Sequence, residues 1–185
     1  MSNVIITSSM TVDGLIEAPA PRPDGWLIME GDHEAREFEM FQNAAGMLQG
    51  RKNYEGFAAV WPLLANEGPW ARWADVLNPM PKWVASTTLS APLDWNATLI
   101  EGDVVEGVQR LKSELDGDLV SSGAGTFARF LVENGLVDEV LFWVNPTIQG
   151  PGARPFHDGP PIDLELLESR SFDSGVTLLR YRPRD

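Results

Sequence analysis

Residues 118–135 read DLVSSGAGTFARFLVENG, and this stretch decides the fold. Asp118 to Ser122 is a short strand, Gly123-Ala124-Gly125 turns the chain, and a helix runs from Thr126 to Glu133 until Asn134-Gly135 stops it. The same unit stands earlier in the chain. Met47-Leu48-Gln49 ends at Gly50, and Asn53 to Val60 forms a short helix with Phe57 and Val60 facing inward. Working outward, Val4 to Ser9 is an opening strand before the Asp13-Gly14 turn, and Asp32 to Ala45 is a helix with Phe38, Phe41, Ala44 and Ala45 at helical spacing. Lys82 to Thr88 and Thr98 to Glu101 are strands. Val104 to Leu115 is an amphipathic helix that Asp103 caps. Glu139 to Pro146 is an apolar strand, and Leu164 to Ser171 with Val176 to Arg182 pair across Asp173-Ser174-Gly175 as a closing hairpin. Alternating strands and helices predict an α/β fold: a central, mostly parallel sheet of about eight strands, helices on both faces and an antiparallel C-terminal hairpin.

The chain has 185 residues and is 43% hydrophobic, enough for one globular domain spanning residues 1–185 to build a core unaided. It contains no cysteine and two histidines, His33 and His157, which excludes thiol chemistry and leaves little for a metal centre. No metal is expected. The formal charge of −13, spread along the chain, opposes nucleic acid and anionic membranes, because both bind through released phosphate counterions. No signal-like or membrane-spanning apolar run is present in the sequence, so the expected compartment is the cytoplasm. Residues 14–31, with Pro19, Pro21 and Pro23, form a long irregular loop, and 61–81, with Pro62, Pro69, Pro79, Trp70 and Trp73, a loop or short helix over the core.

Both strand–glycine–helix units are suited to phosphate. The first-turn N–H groups of a helix lack internal partners, the macrodipole favours an anion there, and a glycine lets the anion reach the backbone. Gly50 is followed by Arg51 and Lys52, adjacent bases in an acidic chain, and Arg51 can add a charge-assisted contact. Gly123, Ala124 and Gly125 permit a nest of N–H groups, with Thr126 as a cap or a phosphate donor. Two cradles in one domain are what a dinucleotide needs. Ser86-Thr87-Thr88, ending another strand, adds hydroxyls for a ribose 2′-phosphate.

Asp13-Gly14, the GRKNYEGF stretch from Gly50 to Phe57, Ser86 with Thr88-Leu89, Gly123 to Thr126, Leu136-Val137-Asp138-Glu139 and Gly150-Pro151-Gly152 with Phe156 together resemble the dihydrofolate reductase-like superfamily. The branch most similar is the C-terminal reductase domain of the bifunctional riboflavin-pathway deaminase-reductase. The resemblance covers nearly the whole chain. It implies a reductase using NADPH, often dimeric, with a small-molecule substrate like that of 5-amino-6-(5-phosphoribosylamino)uracil reductase in riboflavin biosynthesis. By position, Gly50, Arg51 and Asn53 would meet the cofactor's phosphates, Ser86 and Thr87 the 2′-phosphate region, and Gly123, Ala124, Gly125 and Thr126 the pyrophosphate. The family commonly carries threonine where this chain has Asn53, whose amide still donates.

Folate reductases of the superfamily use a carboxylate on the helix after the first long loop, where this chain offers Glu30, Asp32, Glu34 and Glu37. Sequence does not choose among them; most read as a solvated acidic helix face, and Asp13 is foremost a turn residue. His33, among acids, is expected to pair with carboxylates, and His157 either lies at the surface or lines the substrate cleft. Trp26 and Trp61 are the candidates to stack on a heterocycle. A phosphorylated substrate needs further bases, and Arg22, Arg36 and Arg154 are scattered. Two alternatives stay open: a folate or pteridine reductase, and a non-catalytic dinucleotide-binding dimer.

Overall fold

The computed structural model describes residues 1–17, 25–64, 68 and 70–184. Its strands are β1 (Val4–Thr11), β2 (Gly46–Gly50), β3 (Lys82–Ala85), β4 (Ala97–Leu99), β5 (Leu119–Ser122), β6 (Glu139–Asn145), β7 (Leu164–Ser171) and β8 (Thr177–Pro183). The α-helices are α1 (Asp32–Asn43), α2 (Arg51–Val60), α3 (Ala71–Leu77), α4 (Val104–Glu114) and α5 (Thr126–Glu133), with a 3-10 turn at Trp61–Leu64. The expected eight strands, mostly parallel and closing on an antiparallel hairpin, are all present. Pro19, Pro21, Arg22, Pro23 and Pro69 lie outside the described residues.

The chain packs as two compact units. The first holds Met1–Asn3 and Phe38–Ser122. Its strands run β4-β3-β2-β5, every pair parallel. Phe41, Met47, Trp73, Leu77, Met80 and Val120 form its core, and Trp73 meets both Phe38 and Phe41 edge-on. Lys82 is buried here and acts as a cap. Its Nζ donates to the carbonyls of Leu77 (2.5 Å), Met80 (2.6 Å) and Asn78 (3.2 Å) at the end of α3 and stands 3.9 Å from the centre of the Trp95 ring. Helix α2 buries Tyr54, with Phe57 and Trp61 beside it, whereas Val60 is 49% exposed, contrary to expectation. Val60 stands about 120° from Tyr54 around the helix, off the stripe that Tyr54, Phe57 and Trp61 share.

The second unit holds Val4–Glu37 and Gly123–Asp185. Strands β1 and β6 run parallel from Ile5 opposite Glu139 to Thr11 opposite Asn145, and β8 and β7 follow antiparallel. Ile6, Ala124, Ala128, Val140 and Phe142 make its core with Phe156 packed against them. Helix α1 gives its first turns, to Glu37, to this unit and its remainder to the first. The expected cap at Asp103 is in place, its carboxylate accepting the Glu106 N–H at 3.0 Å.

Candidate functional site

In the first unit, parallel pairing decides which residues meet. Gly50 ends β2 directly opposite Ala85 at the end of β3, so the Gly50 turn and Ser86-Thr87 leave the carboxyl ends of adjacent strands together. Open α/β sheets bind ligands at that end. Gly50 is the N-cap of α2, extended at φ −80° and ψ 160°, and no side chain caps the helix. Among the described residues, the amides of the first turn thus have no side-chain cap. Arg51 pairs with Glu55 at 3.1 Å on the exposed face, a contact weak enough to exchange for a ligand anion. The Ser86 hydroxyl oxygen accepts the N–H groups of Thr88 (3.1 Å) and Leu89 (3.0 Å), which leaves its proton to donate. Asn53 accepts at Oδ1 from Gln49 Nε2 at 3.0 Å, beneath the turn.

The second unit holds the other turn. Gly123, at φ +89°, occupies a backbone region that favours glycine, and its N–H donates to the Thr7 carbonyl at 2.7 Å. Gly125, not Thr126, is the N-cap of α5, again without a side-chain cap, because its extended backbone precedes a helix that already includes Thr126. Of the two roles open to Thr126, capping is therefore excluded. Ala124 is wholly buried and its carbonyl accepts the Phe156 N–H at 2.7 Å, so the loop after β6 clamps the middle of this turn.

The acids divide sharply. Asp13 accepts from the Thr11 hydroxyl (2.5 Å) and from the N–H groups of Gly150 (2.8 Å) and Gln149 (3.3 Å). These bonds, Thr11 foremost, lower its carboxyl to about 2, so it is a clasp between two loops and cannot hold a proton near neutrality. Glu30 is exposed and Glu34 buried. Glu37 is different again: desolvation pushes its carboxyl up to about 7, with the Glu34 charge adding to the rise and the Thr7 hydrogen bond opposing it. The Thr7 hydroxyl accepts the indole N–H of Trp143 at 2.9 Å and lies 3.2 Å from Glu37 Oε1. An indole only donates, so the Thr7 proton is directed at Glu37. For Glu34 and Glu37 this corrects the expected solvated acidic face, whereas Glu30 and Asp32 are exposed as expected. His33, Glu37 and Phe41 follow at intervals of four on α1, which puts Glu37 on the inward stripe.

Four other expectations resolve within their own units. His33 is not paired with carboxylates: it is buried beside Trp143 and Phe172, with Nε2 2.9 Å from the Ile28 carbonyl and Nδ1 3.0 Å from the Ser174 hydroxyl. Uncharged partners suit a ring enclosed by apolar side chains. His157 is exposed, its Nδ1 3.0 Å from the Arg154 carbonyl. Trp26 is buried against Leu15 and is a packing residue, not a stacking platform, while Trp61, half-buried, packs edge-on against Phe57 and Trp70. A cavity of about 340 Å³ lies against α5 and the start of β6, lined by Val132, Val140, Phe156 and Pro160; Arg129 in its wall is engaged by the Phe156 and Pro160 carbonyls and by Glu133.

Sequence comparison gives this arrangement its family. Residues 2–178 match the pattern of the RibD C-terminal domain. The chain belongs to that family. It is 29% identical over 182 residues to the uncharacterized protein YyaP of Bacillus subtilis, covering 96% of this chain and 93% of that one. Among solved structures it is similar to a Shewanella sp. PV-4 protein named for riboflavin biosynthesis, with a TM-score of 0.73, 17% identity and 99% of both chains covered. It is also similar to the deaminase/5-amino-6-(5-phosphoribosylamino)uracil reductase of Thermotoga maritima, at a TM-score of 0.66 and 20% identity. There 99% of this chain covers 57% of the relative, so the family's domain corresponds to part of that bifunctional protein. The family match bears out the resemblance to the C-terminal domain of the riboflavin-pathway protein noted in the sequence, and the likeness to these structures is one of fold.

Proposed function

We propose that the protein is an NADPH-dependent reductase that delivers hydride to a small heterocyclic or sugar-linked imine. One observation carries this reading: a single residue, Thr7, holds both the acid and the glycine turn, its hydroxyl on Glu37 and its carbonyl on the Gly123 N–H. Each unit carries an uncapped helix amino end that suits a phosphate: Gly50, Arg51 and Asn53 at α2, with Ser86 and Thr87 beside them for a 2′-phosphate, in the first, and Gly125 and Thr126 at α5 in the second. NADPH, when bound, supplies the hydride. Glu37 supplies the proton: with its carboxyl raised to about 7, a large share of the protein holds it protonated in neutral solution, and it transfers that proton to the imine nitrogen, completing C=N to CH–NH. Thr7 and Trp143 hold the resulting carboxylate in place, and its half-buried position lets solvent reprotonate it.

Glu37 also favours the second reading, a pteridine or folate reductase acting on an unphosphorylated ring. Two of the bases available to a phosphorylated substrate are engaged, Arg36 in a two-point pair with Glu168 (2.8 and 2.7 Å) and Arg154 on the Asp13 carbonyl (2.7 Å). The test is NADPH oxidation with a panel of pteridines and aminopyrimidines, phosphorylated and not. Turnover is expected to fall as pH rises through about 7, the value to which Glu37 is raised. Glu37→Gln is expected to lower kcat by about 10²-fold or more and to abolish that inflection, with NADPH affinity kept. Full activity in the variant refutes the acid role. NADPH binding with no turnover anywhere in the panel would favour a non-catalytic dinucleotide-binding protein.

Stability gives an independent readout. Because the folded carboxyl titrates at about 7 against an ordinary 4.5, the folded state binds the extra proton between those values, and stability falls as pH rises through that window. Glu37→Gln should therefore stabilise the protein by about 1 to 3 kcal/mol above pH 7 and leave it unchanged in acid. Equal effects at both pH values would show that the carboxyl is not desolvated.

A further inference from the structure

Gln49 is the penultimate residue of β2, lies 1% exposed beneath the first turn of α2, and makes an unbalanced set of hydrogen bonds. Its Nε2 donates to Asn53 Oδ1 at 3.0 Å, while its buried Oε1 has no partner among the described residues. A residue placed there to fill space would be better as methionine, which has similar length and leaves no buried oxygen unmatched. Among the described residues the one polar contact of the Gln49 side chain is the one to Asn53, and Asn53 stands in the first turn of a ten-residue helix without a side-chain cap.

We infer that Gln49 is a positioning residue for the anion-binding turn: it occupies the Asn53 oxygen so that the Asn53 amide turns N–H donors, and not an acceptor, toward a phosphate at the amino end of α2. The inference rests on the proposed binding of NADPH. An asparagine with its oxygen unclaimed would oppose the anion, since a carbonyl and a phosphate oxygen both only accept. A donor from below settles the orientation, and the unmatched Gln49 oxygen is the stability lost in exchange. Arg51 provides charge at this turn; the amide pair provides direction.

The experiment measures two quantities on the full chain: the thermal midpoint without ligand and the NADPH dissociation constant by fluorescence titration. Gln49→Met is expected to keep or raise the midpoint while weakening NADPH about five- to tenfold, the scale of one neutral hydrogen bond. Gln49→Glu, which accepts where glutamine donates, should weaken it further by drawing the Asn53 N–H groups inward. In an Asn53→Ala background Gln49→Met should change NADPH affinity less than about twofold, because the group it orients is gone. A lowered midpoint with the same loss of affinity in both backgrounds makes Gln49 a packing residue and overturns the inference, as does wild-type affinity in Gln49→Met. If the wild-type chain binds pyrophosphate but not NADPH, with the same dependence on Gln49, the inference stands and the reductase reading falls. If it binds neither, both fall.

Discussion

The two glycine turns share one sequence pattern and have different neighbours. At Gly50 the turn is open: the helix begins uncapped, the bases Arg51 and Lys52 are exposed, and an amide pair beneath it orients Asn53. At Gly123 the turn is tied down on its backbone, by the Thr7 carbonyl on one side and the Phe156 N–H on the other, with Ala124 in the core between them. A strand–glycine–helix motif thus presents helix amides in both places, but its surroundings make one turn a charged surface site and the other a packed corner. In the proposed reading, the Gly50 turn recognises charge and the Gly123 turn places backbone.

The largest separation between the two should come from Arg51→Ala, which is expected to weaken NADPH by about 1 to 3 kcal/mol and to leave NADH nearly unaffected, as titration of both cofactors will show. Equal loss for both would remove the 2′-phosphate from the Gly50 turn. Stability should be unmoved, since the Arg51–Glu55 pair is exposed on both sides. Next comes Gly123→Ala, where φ +89° forces a side chain into left-handed backbone; denaturant unfolding should report a loss of about 1 to 2 kcal/mol. The smallest effect on folding belongs to Gly125→Ala. A Cβ there meets nothing within 4 Å and φ is an ordinary −87°, so stability should stay within about 0.5 kcal/mol. Its added methyl stands where a phosphate would approach the amino end of α5, so NADPH affinity should drop severalfold; unchanged affinity would take that turn out of the site.

Much of the fold was legible because its signals are local. The β-branched run of β1, the Asp103 cap, the Asn134-Gly135 stop and the hairpin at Asp173-Ser174-Gly175 each depend on a few neighbouring residues and act much the same in any context. The glycine turns were legible for the same reason, as were the bases beside Gly50. What sequence reading misjudged was the environment of polar side chains. Asp13, Glu30, Glu34 and Glu37 are four carboxylates in one stretch of sequence, and only neighbours remote along the chain tell them apart: Gly150 binds Asp13, and Thr7 binds Glu37. Trp26 and His33 went the same way, drawn into packing by Leu15 and by the Trp143 and Phe172 rings. A stripe of residues at intervals of four, His33, Glu37 and Phe41, was the available clue to Glu37.

By itself, then, the amino-acid order determined the succession of elements, the family and the two turns where a helix offers bare amides, since hydrogen-bonding propensity and side-chain periodicity act over one or two turns of chain. Tertiary structure decided which carboxyl is raised by burial and which amide oxygen is already occupied. Both depend on desolvation and on partners brought from elsewhere in the chain, such as Trp143 beneath Thr7, and a proton responds to that local field and not to sequence position.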